Sequence, residues 1–425
     1  MSETPLAPSA TAGLDAWLSY LEALHPTEIE LGLERVQAVA QRLKIQPGKA
    51  KVITVAGTNG KGSTVRYLET ILRAAGYTTG VYISPHLVDY EERVRVNTQQ
   101  LDAQQHVEAF QAVEQVRGDT SLTYFEFGTL AALWLLQQHE LDVWILEVGL
   151  GGRLDAVNCI AADVGVITSV GIDHVAFLGP HREGIAREKA GIFRPGRAAV
   201  IGEPDFPADI LAELHQRSIE PARVGVDFNY RRNSDQSTWD YVGRSSVLRG
   251  LPLPQLPLPN AATALKALEK LALPVSQQAI KEGLQHARES GRLELRAGNP
   301  KVLLDVAHNP HAATFLTQHI QATLPDMPVF AVVGMLQDKD IEGTLAALAP
   351  VVTQWFFADL AGPRGAKAER LAQADAAENE RPRQTFANVA AAFDAARAAA
   401  VEQKRETLVL VCGSFYTVSQ IPQTE

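Results

Sequence analysis

Short, almost wholly apolar runs rich in β-branched residues recur along this chain, each followed by a stretch of helical spacing, and this alternation constrains the fold more than any other feature. Val52–Ala56, Gly80–Ser84, Val143–Val148, Val164–Ser169 and Ala199–Gly202 form one series. Val302–Asp305, Val329–Met335, Trp355–Asp359 and Leu408–Cys412 form a second, separated by helical stretches such as Ala387–Ala400. Such runs suit strands covered on both faces, so each series predicts a parallel sheet with crossover helices. The expected fold class is therefore α/β in two units. The 425 residues agree, since a single domain typically takes ~150.

Punctuation places the boundary. Leu251–Pro259 alternates Pro with Leu and Gln and reads as an extended connector. Asn260 then stands at an N-cap position before Ala261, Leu265, Leu268 and Leu271. Ser290, Gly291, Gly298 and Pro300 interrupt the chain before the second series. The expected division is a tail at 1–13, a first domain at 14–290, a linker at 291–299 and a second domain at 300–425.

Composition narrows the function classes. Lys plus Arg number 39 against 49 Asp plus Glu, a formal charge of −10 with no basic stripe, which argues against a nucleic-acid partner. Cys159 and Cys412 stand alone and far apart, so neither a disulfide framework nor a thiolate metal site is expected. No apolar run reaches the ~20 residues of a membrane span, and the first residues lack a basic and apolar leader pattern. A cytoplasmic protein without a membrane partner is expected.

The sharpest chemical signal is Ala56-Gly57-Thr58-Asn59-Gly60-Lys61-Gly62-Ser63-Thr64, between a strand and the helical pattern Val65, Leu68, Leu72, Ala75. Glycines let backbone N–H groups turn toward phosphate oxygens, the helix N-terminus adds a favourable dipole, and Lys61 supplies positive charge. The spacing departs from the usual P-loop: Val55 stands where the first Gly belongs, and Gly62 separates Lys61 from Ser63. Glu147, ending a strand before Gly149-Leu150-Gly151-Gly152-Arg153-Leu154-Asp155, is a candidate Mg²⁺ ligand or else a helix cap or an arginine's partner. His174 follows another strand and reads either as a ligand on the same rim or as a structural histidine. Lys189, in a Glu-rich helical turn, reads as a solvent-facing lysine. In Asp305-Val306-Ala307-His308-Asn309-Pro310, Asp305 suits a ribose or a lysine, and Asp305 and Asn309 equally suit a turn before Pro310. Arg292 suits a nucleotide phosphate or a decorated linker.

Taken together these motifs resemble the Mur-ligase-like ATP-dependent amide synthases, in particular those that act on pteroates and folates. The resemblance covers nearly the whole chain and includes Leu31-Gly32-Leu33-Glu34-Arg35, Ser84-Pro85-His86-Leu87, Leu122-Thr123-Tyr124-Phe125-Glu126, Arg187-Glu188-Lys189-Ala190-Gly191 and Cys412-Gly413-Ser414. It implies an amino-terminal P-loop-type ATPase domain and a carboxyl-terminal Rossmann-like domain, with ATP and substrates in the cleft between them. It implies that Thr58, Asn59, Gly60, Lys61, Gly62, Ser63, Asn260, Arg292 and Asp305 contact ATP. Ile29, Glu30, Leu31, Thr123, Tyr124, Phe125, Glu126, Leu154, Asp155 and Ala156 would line the pterin pocket, with Glu30 standing where Asp is expected. Ser84, Glu147 and His174 would hold Mg²⁺, and Lys189, as a carbamate, a second ion; a monovalent cation such as K⁺ would complete the set. Lys61, Lys189 and His174 are the catalytic candidates.

The implied reaction joins L-glutamate to dihydropteroate and to the γ-carboxylate of tetrahydrofolate through an acyl phosphate, releasing ADP and phosphate, with the chain acting as a monomer. The nearest rival is a folylpolyglutamate synthase that lacks the dihydropteroate activity. A cell-wall Mur ligase fits less well, because its acceptor domain precedes the P-loop and here only about fifty residues do. A nucleotide-gated regulatory module would bind ATP without forming ADP.

Overall fold

The computed structural model describes residues 6–9, 11–27, 29–234, 237–244, 246–376, 381–403 and 405–422. Of the expected tail at 1–13, residues 1–5 and 10 lie outside the described set. The chain divides into two units, Met1–Ala287 and Arg288–Glu425.

The first unit is built on strands β1 (Lys51–Ala56), β2 (Thr79–Tyr82), β3 (Val94–Val96), β4 (Gln99–Gln100), β5 (Val143–Glu147), β6 (Val164–Ile167), β7 (Ala198–Ile201) and β8 (Ala222–Arg223), in the order β4-β3-β2-β5-β1-β6-β7-β8. From β2 to β8 every neighbour is parallel. Alternation along the strands sends successive side chains to opposite faces. Trp144 and Leu146 of β5 enter one apolar cluster, whereas Val143 and Ile145 enter another. Both faces are thus buried, which is why these strands read as unbroken apolar runs.

The helices of this unit are α1 (Leu14–Leu24), α2 (Glu34–Arg42), α3 (Lys61–Ala74), α4 (Ala103–Arg117), α5 (Tyr124–Gln137), α6 (Val175–Leu178), α7 (Arg182–Ala190), α8 (Ala208–Gln216), α9 (Leu258–Leu271) and α10 (Gln277–His286). Buried residues of α1, α2, α4 and α5 share the cluster of Trp144; those of α3, α9 and α10 share that of Ile145. Thr123 starts α5 through a capping box with Glu126, satisfying two backbone N–H groups at the helix end. None of the described helices is long and apolar enough to cross a membrane.

Two features of this unit differ from the sequence expectation. Helix α9 begins at Leu258, capped by Pro257, so Asn260 is the third helical residue and not the N-cap. Pro259 lacks an N–H, but the first turn leaves that group unpaired in any case. Of the expected connector Leu251–Pro259, Leu251 and Pro252 end a strand and Leu258 and Pro259 open α9, while 253–257 form no regular element. β9 (Phe228–Arg232), β10 (Thr238–Gly243) and β11 (Val247–Pro252) form a separate antiparallel sheet that buries Phe228, Trp239, Tyr241 and Leu251.

The second unit holds β12 (Glu294–Arg296), β13 (Lys301–Leu304), β14 (Val329–Val333), β15 (Val352–Ala358), β16 (Arg383–Phe386) and β17 (Leu408–Cys412), in the order β12-β13-β17-β14-β15-β16. All pairs are parallel except the edge strand β12, which runs antiparallel to β13. The stretch 291–299, expected as a linker, therefore supplies a strand to this sheet. Its helices are α11 (Pro310–Thr323), α12 (Ile341–Leu348), α13 (Ala368–Ala376), α14 (Val389–Val401) and α15 (Phe415–Val418). Cys159 and Cys412 are both free thiols.

Candidate active site

Sheet order decides which loops meet. β2, β5, β1 and β6 are consecutive and parallel, so their carboxyl ends share one edge. Ser84 follows β2, Glu147 ends β5, the Gly57–Lys61 loop follows β1, and the segment leading to His174 follows β6. Open parallel sheets bind ligands at this edge.

The loop after β1 is held by that neighbouring segment. Thr58 donates its N–H to Ser169 O at 2.9 Å, and its hydroxyl donates to Gly171 O at 3.0 Å. Asn59 N–H donates to Ser169 Oγ at 3.0 Å, while Thr168 Oγ1 donates to Asn59 O at 2.6 Å. A β-carbon on Gly57 would overlap the Thr168 hydroxyl, so only glycine permits this approach. Gly60 caps α3 at φ 83°, a left-handed conformation. Asn260 packs its side-chain amide there: a β-carbon on Gly60 would lie 2.6 Å from its Oδ1. Helix α9 thus carries Asn260 to the phosphate loop, while Lys61 Nζ donates back to Gly57 O at 3.0 Å. Gly62 and Ser63 lie buried in the first turn of α3.

Ser84 N–H donates to Glu147 Oε2 at 3.3 Å, linking two of the proposed ligands. Glu147 is buried, and the buried Ser84 Oγ has no protein partner. His174 sits at φ 52° with its N–H on Asp173 Oδ1 at 2.8 Å. Among the described residues no three or more His, Cys, Asp and Glu side chains gather as a metal cage. A site drawn from a serine, a glutamate, a histidine and a modified lysine contains only two of those types. An oxygen-rich set with one imidazole suits a hard divalent ion, and the orphaned Ser84 hydroxyl is a buried donor atom for which the protein supplies no other use.

Lys189 overturns the solvent-facing reading. It is only 3% exposed, and burial, reinforced by the nearby Lys61 charge against the opposing pull of Asp173 and Asp155, brings its ammonium down to about 7. A large share is thus a neutral amine near neutral pH. Asp155 shows the complementary effect. Burial pushes its carboxyl up to about 7, although Leu150 N–H and Val157 N–H both donate to it. Sequence spacing carries no signal for either shift.

Part of the expected pterin group comes together. The Phe125 ring lies against Gly149, where a β-carbon would collide with it, so α5 meets the glycine-rich loop after β5. Glu126 Oε2 accepts from Thr123 N–H at 2.8 Å, and its Oε1 accepts from Arg35 Nη2 at 3.0 Å. Arg35 also pairs with Glu30, whose other oxygen contacts His25 Nε2 at 2.9 Å. Arg35 therefore joins Glu30 to Glu126, which lies 91 positions beyond the arginine, a role visible in sequence only as one letter of the Leu31–Arg35 motif. Tyr124 stacks its ring under the Arg93 guanidinium at 5.4 Å. Leu154, Ile29 and Leu31 are half-buried, and Ala156 is buried beside Asp155.

In the second unit Asp305 accepts from Leu293 N–H and Ala307 N–H, both at 2.9 Å, and Asn309 caps α11 through Ala312 N–H. Both residues organise the turn before Pro310. Arg292 lies over the Phe415 ring at 5.5 Å.

Comparison with known proteins fixes the class. The Mur ligase middle domain matches residues 55–238, and the Mur ligase glutamate ligase domain matches residues 291–415. The chain belongs to the Mur ligase family. It is 52% identical to the dihydrofolate synthase/folylpolyglutamate synthase of Escherichia coli, over 97% of this chain and 96% of that one. The same bifunctional enzyme of Haemophilus influenzae is 41% identical, with 97% of each chain covered. Among solved structures, E. coli FolC in complex with DHPP and ADP superposes with a TM-score of 0.92 at 52% identity, covering 97% of each chain. A bifunctional folylpolyglutamate synthase/dihydrofolate synthase with Mn, AMPPNP and L-glutamate bound gives 0.90 at 48%, covering 97% of this chain and 98% of that one.

Proposed function

We propose that this chain is an ATP-dependent ligase that adds L-glutamate to 7,8-dihydropteroate and to the γ-carboxylate of tetrahydrofolate. The observation that carries the reading is the shared edge of β2, β5, β1 and β6, where a glycine-rich loop, the Ser84–Glu147 pair and the approach to His174 adjoin. The likeness to enzymes solved with ADP, DHPP, AMPPNP and L-glutamate supports it.

In this reading the substrate carboxylate attacks the γ-phosphorus of ATP, and ADP leaves. The glutamate amine then attacks the acyl carbon of the resulting acyl phosphate, loses a proton and expels phosphate, leaving the amide. The loop from Thr58 to Ser63 holds the triphosphate, with Lys61 released from Gly57 O to pair with phosphate oxygens. Asn260 fixes the loop at Gly60. Ser84, Glu147 and His174 would hold a divalent ion, which supplies positive charge against the phosphates. Lys189, as a neutral amine, adds CO₂ and loses one proton to become an anionic carbamate, whose oxygens suit a second ion. Asp155, with Leu154, Ala156, the Thr123–Glu126 turn and Ile29–Leu31, holds the pterin end, so the carboxylate points away from it toward the phosphate loop.

ADP release tests the reading. Dihydropteroate plus L-glutamate should raise ADP formation well above the ATP-only rate, and so should tetrahydrofolate plus L-glutamate. A response to tetrahydrofolate alone would identify a folylpolyglutamate synthase without the first activity. A response to neither would reject the assignment.

A further inference from the structure

One buried side chain joins the loop carrying Leu154, Asp155 and Ala156 to the helix carrying Lys189. Asn158, 6% exposed, sits in the short 3-10 turn Ala156–Cys159 that Asp155 caps. Its Nδ2 donates to Arg153 O at 2.9 Å and to Gly191 O at 3.3 Å, and its Oδ1 accepts from Arg194 Nη2 at 2.8 Å. Arg153 belongs to the substrate-side loop. Gly191 is the C-cap of α7, two residues beyond Lys189, and its carbonyl is among those a helix end leaves without an internal partner. Arg194 Nη1 donates to the same carbonyl at 2.8 Å.

The backbones are also in contact. Arg153 N–H donates to Glu188 O at 2.8 Å, and a β-carbon on Gly152 would lie 3.1 Å from Lys189 Cα. A β-carbon on Gly191 would overlap the Arg153 side chain. The two segments cannot slide past each other without breaking the bonds to Asn158. Only an amide meets this demand, since it offers two hydrogens to two carbonyls and one oxygen to a guanidinium. A carboxylate would face those carbonyls with acceptors, and alanine would leave buried groups unpaired.

We propose that Asn158 is a positioning residue that couples the pterin loop to the helix of Lys189, so that the geometry of the acceptor pocket and the placement of the lysine are set together. The proposal rests on the assignment of Lys189 to the reacting end of the site.

The test compares the full-length protein with Asn158→Asp, nearly identical in volume, and Asn158→Ala. It measures ADP affinity, KM for dihydropteroate, kcat, the Tm, and the ¹³C signal of a lysine carbamate in labelled bicarbonate. Loss of a partner that orients a ligand-bearing element typically costs about 10- to 100-fold. Both variants should keep ADP affinity within about twofold, raise KM several-fold and lower kcat about tenfold or more, with a weaker carbamate signal. A folded variant that alters KM alone or kcat alone overturns the coupling, as does one whose only defect is a lower Tm. An Asn158→Asp chain that never folds also counts against it, since the tie would then serve the fold and not the site. Absence of a carbamate signal in the unaltered protein would remove the carbamate reading of Lys189, whereas a joint change in KM and kcat would still support the tie.

Discussion

Ser84 and Glu147 meet across adjacent parallel strands, the serine N–H on the glutamate carboxylate, while the serine hydroxyl lies buried with no partner. A buried hydroxyl left unpaired costs about 1–3 kcal/mol, so its presence points to a ligand that uses it. Ser84→Ala should leave the Tm of the ligand-free protein unchanged or raise it. The same substitution should weaken divalent-ion dependence and lower kcat/KM about tenfold or more. A lower Tm with full activity would show that the hydroxyl serves packing.

Gly60 combines a left-handed backbone with the amide of Asn260 in the place a side chain would take. A non-glycine residue in that conformation costs roughly 1 kcal/mol, and here its β-carbon must also displace Asn260. Gly60→Ala should therefore weaken ADP binding at least several-fold, as read by calorimetry. Asn260→Ala opens the space and should partly restore folding, but not nucleotide affinity, in the double variant. Unchanged ADP affinity in Gly60→Ala would separate this loop from the nucleotide.

Lys189 gives a pH signature. Its ammonium sits at about 7 in the folded chain against 10.5 for an ordinary lysine. Between these values the unfolded chain holds more protons, so this group's contribution to stability rises with pH across that window, and its penalty is full below the lower value. Lys189→Met removes a buried charge. In buffer free of bicarbonate and metal it should raise the Tm at pH 6 by more than it does at pH 9.5. Equal shifts at both pH values would contradict a depressed lysine. Activity should be largely lost at either pH.

How much of this was legible beforehand follows from where each property arises. β1, β5, β14 and β17 were readable because a parallel strand covered on both faces must be apolar throughout, and the phosphate loop because glycine spacing and a following helix are local. Lys189 was not readable, because its backbone packs against Gly152 of a distant loop and the charge that adds to its desolvation belongs to Lys61, remote in sequence. The β9–β11 sheet offers no unbroken apolar run: its strands are half-buried, as in the apolar–polar alternation of Phe228–Arg232, so a reading that follows all-apolar runs passes over them. β12 was missed for a similar reason: Glu294–Arg296 is an edge strand of three residues, two of them charged, and its pairing with β13 supplies what its composition does not. Asn260 is not the cap its sequence context suggests, because Pro259 looks like a barrier to a helix that begins one residue earlier, and its packing against Gly60 is created by the fold alone.

The central claim is that ATP activates the substrate's own carboxylate. Dihydropteroate carrying ¹⁸O in both carboxylate oxygens, turned over with ATP and L-glutamate, tests it through the ³¹P spectrum of the phosphate released. The account predicts one ¹⁸O in each phosphate for each amide formed. Phosphate free of label beside a full yield of amide would contradict it.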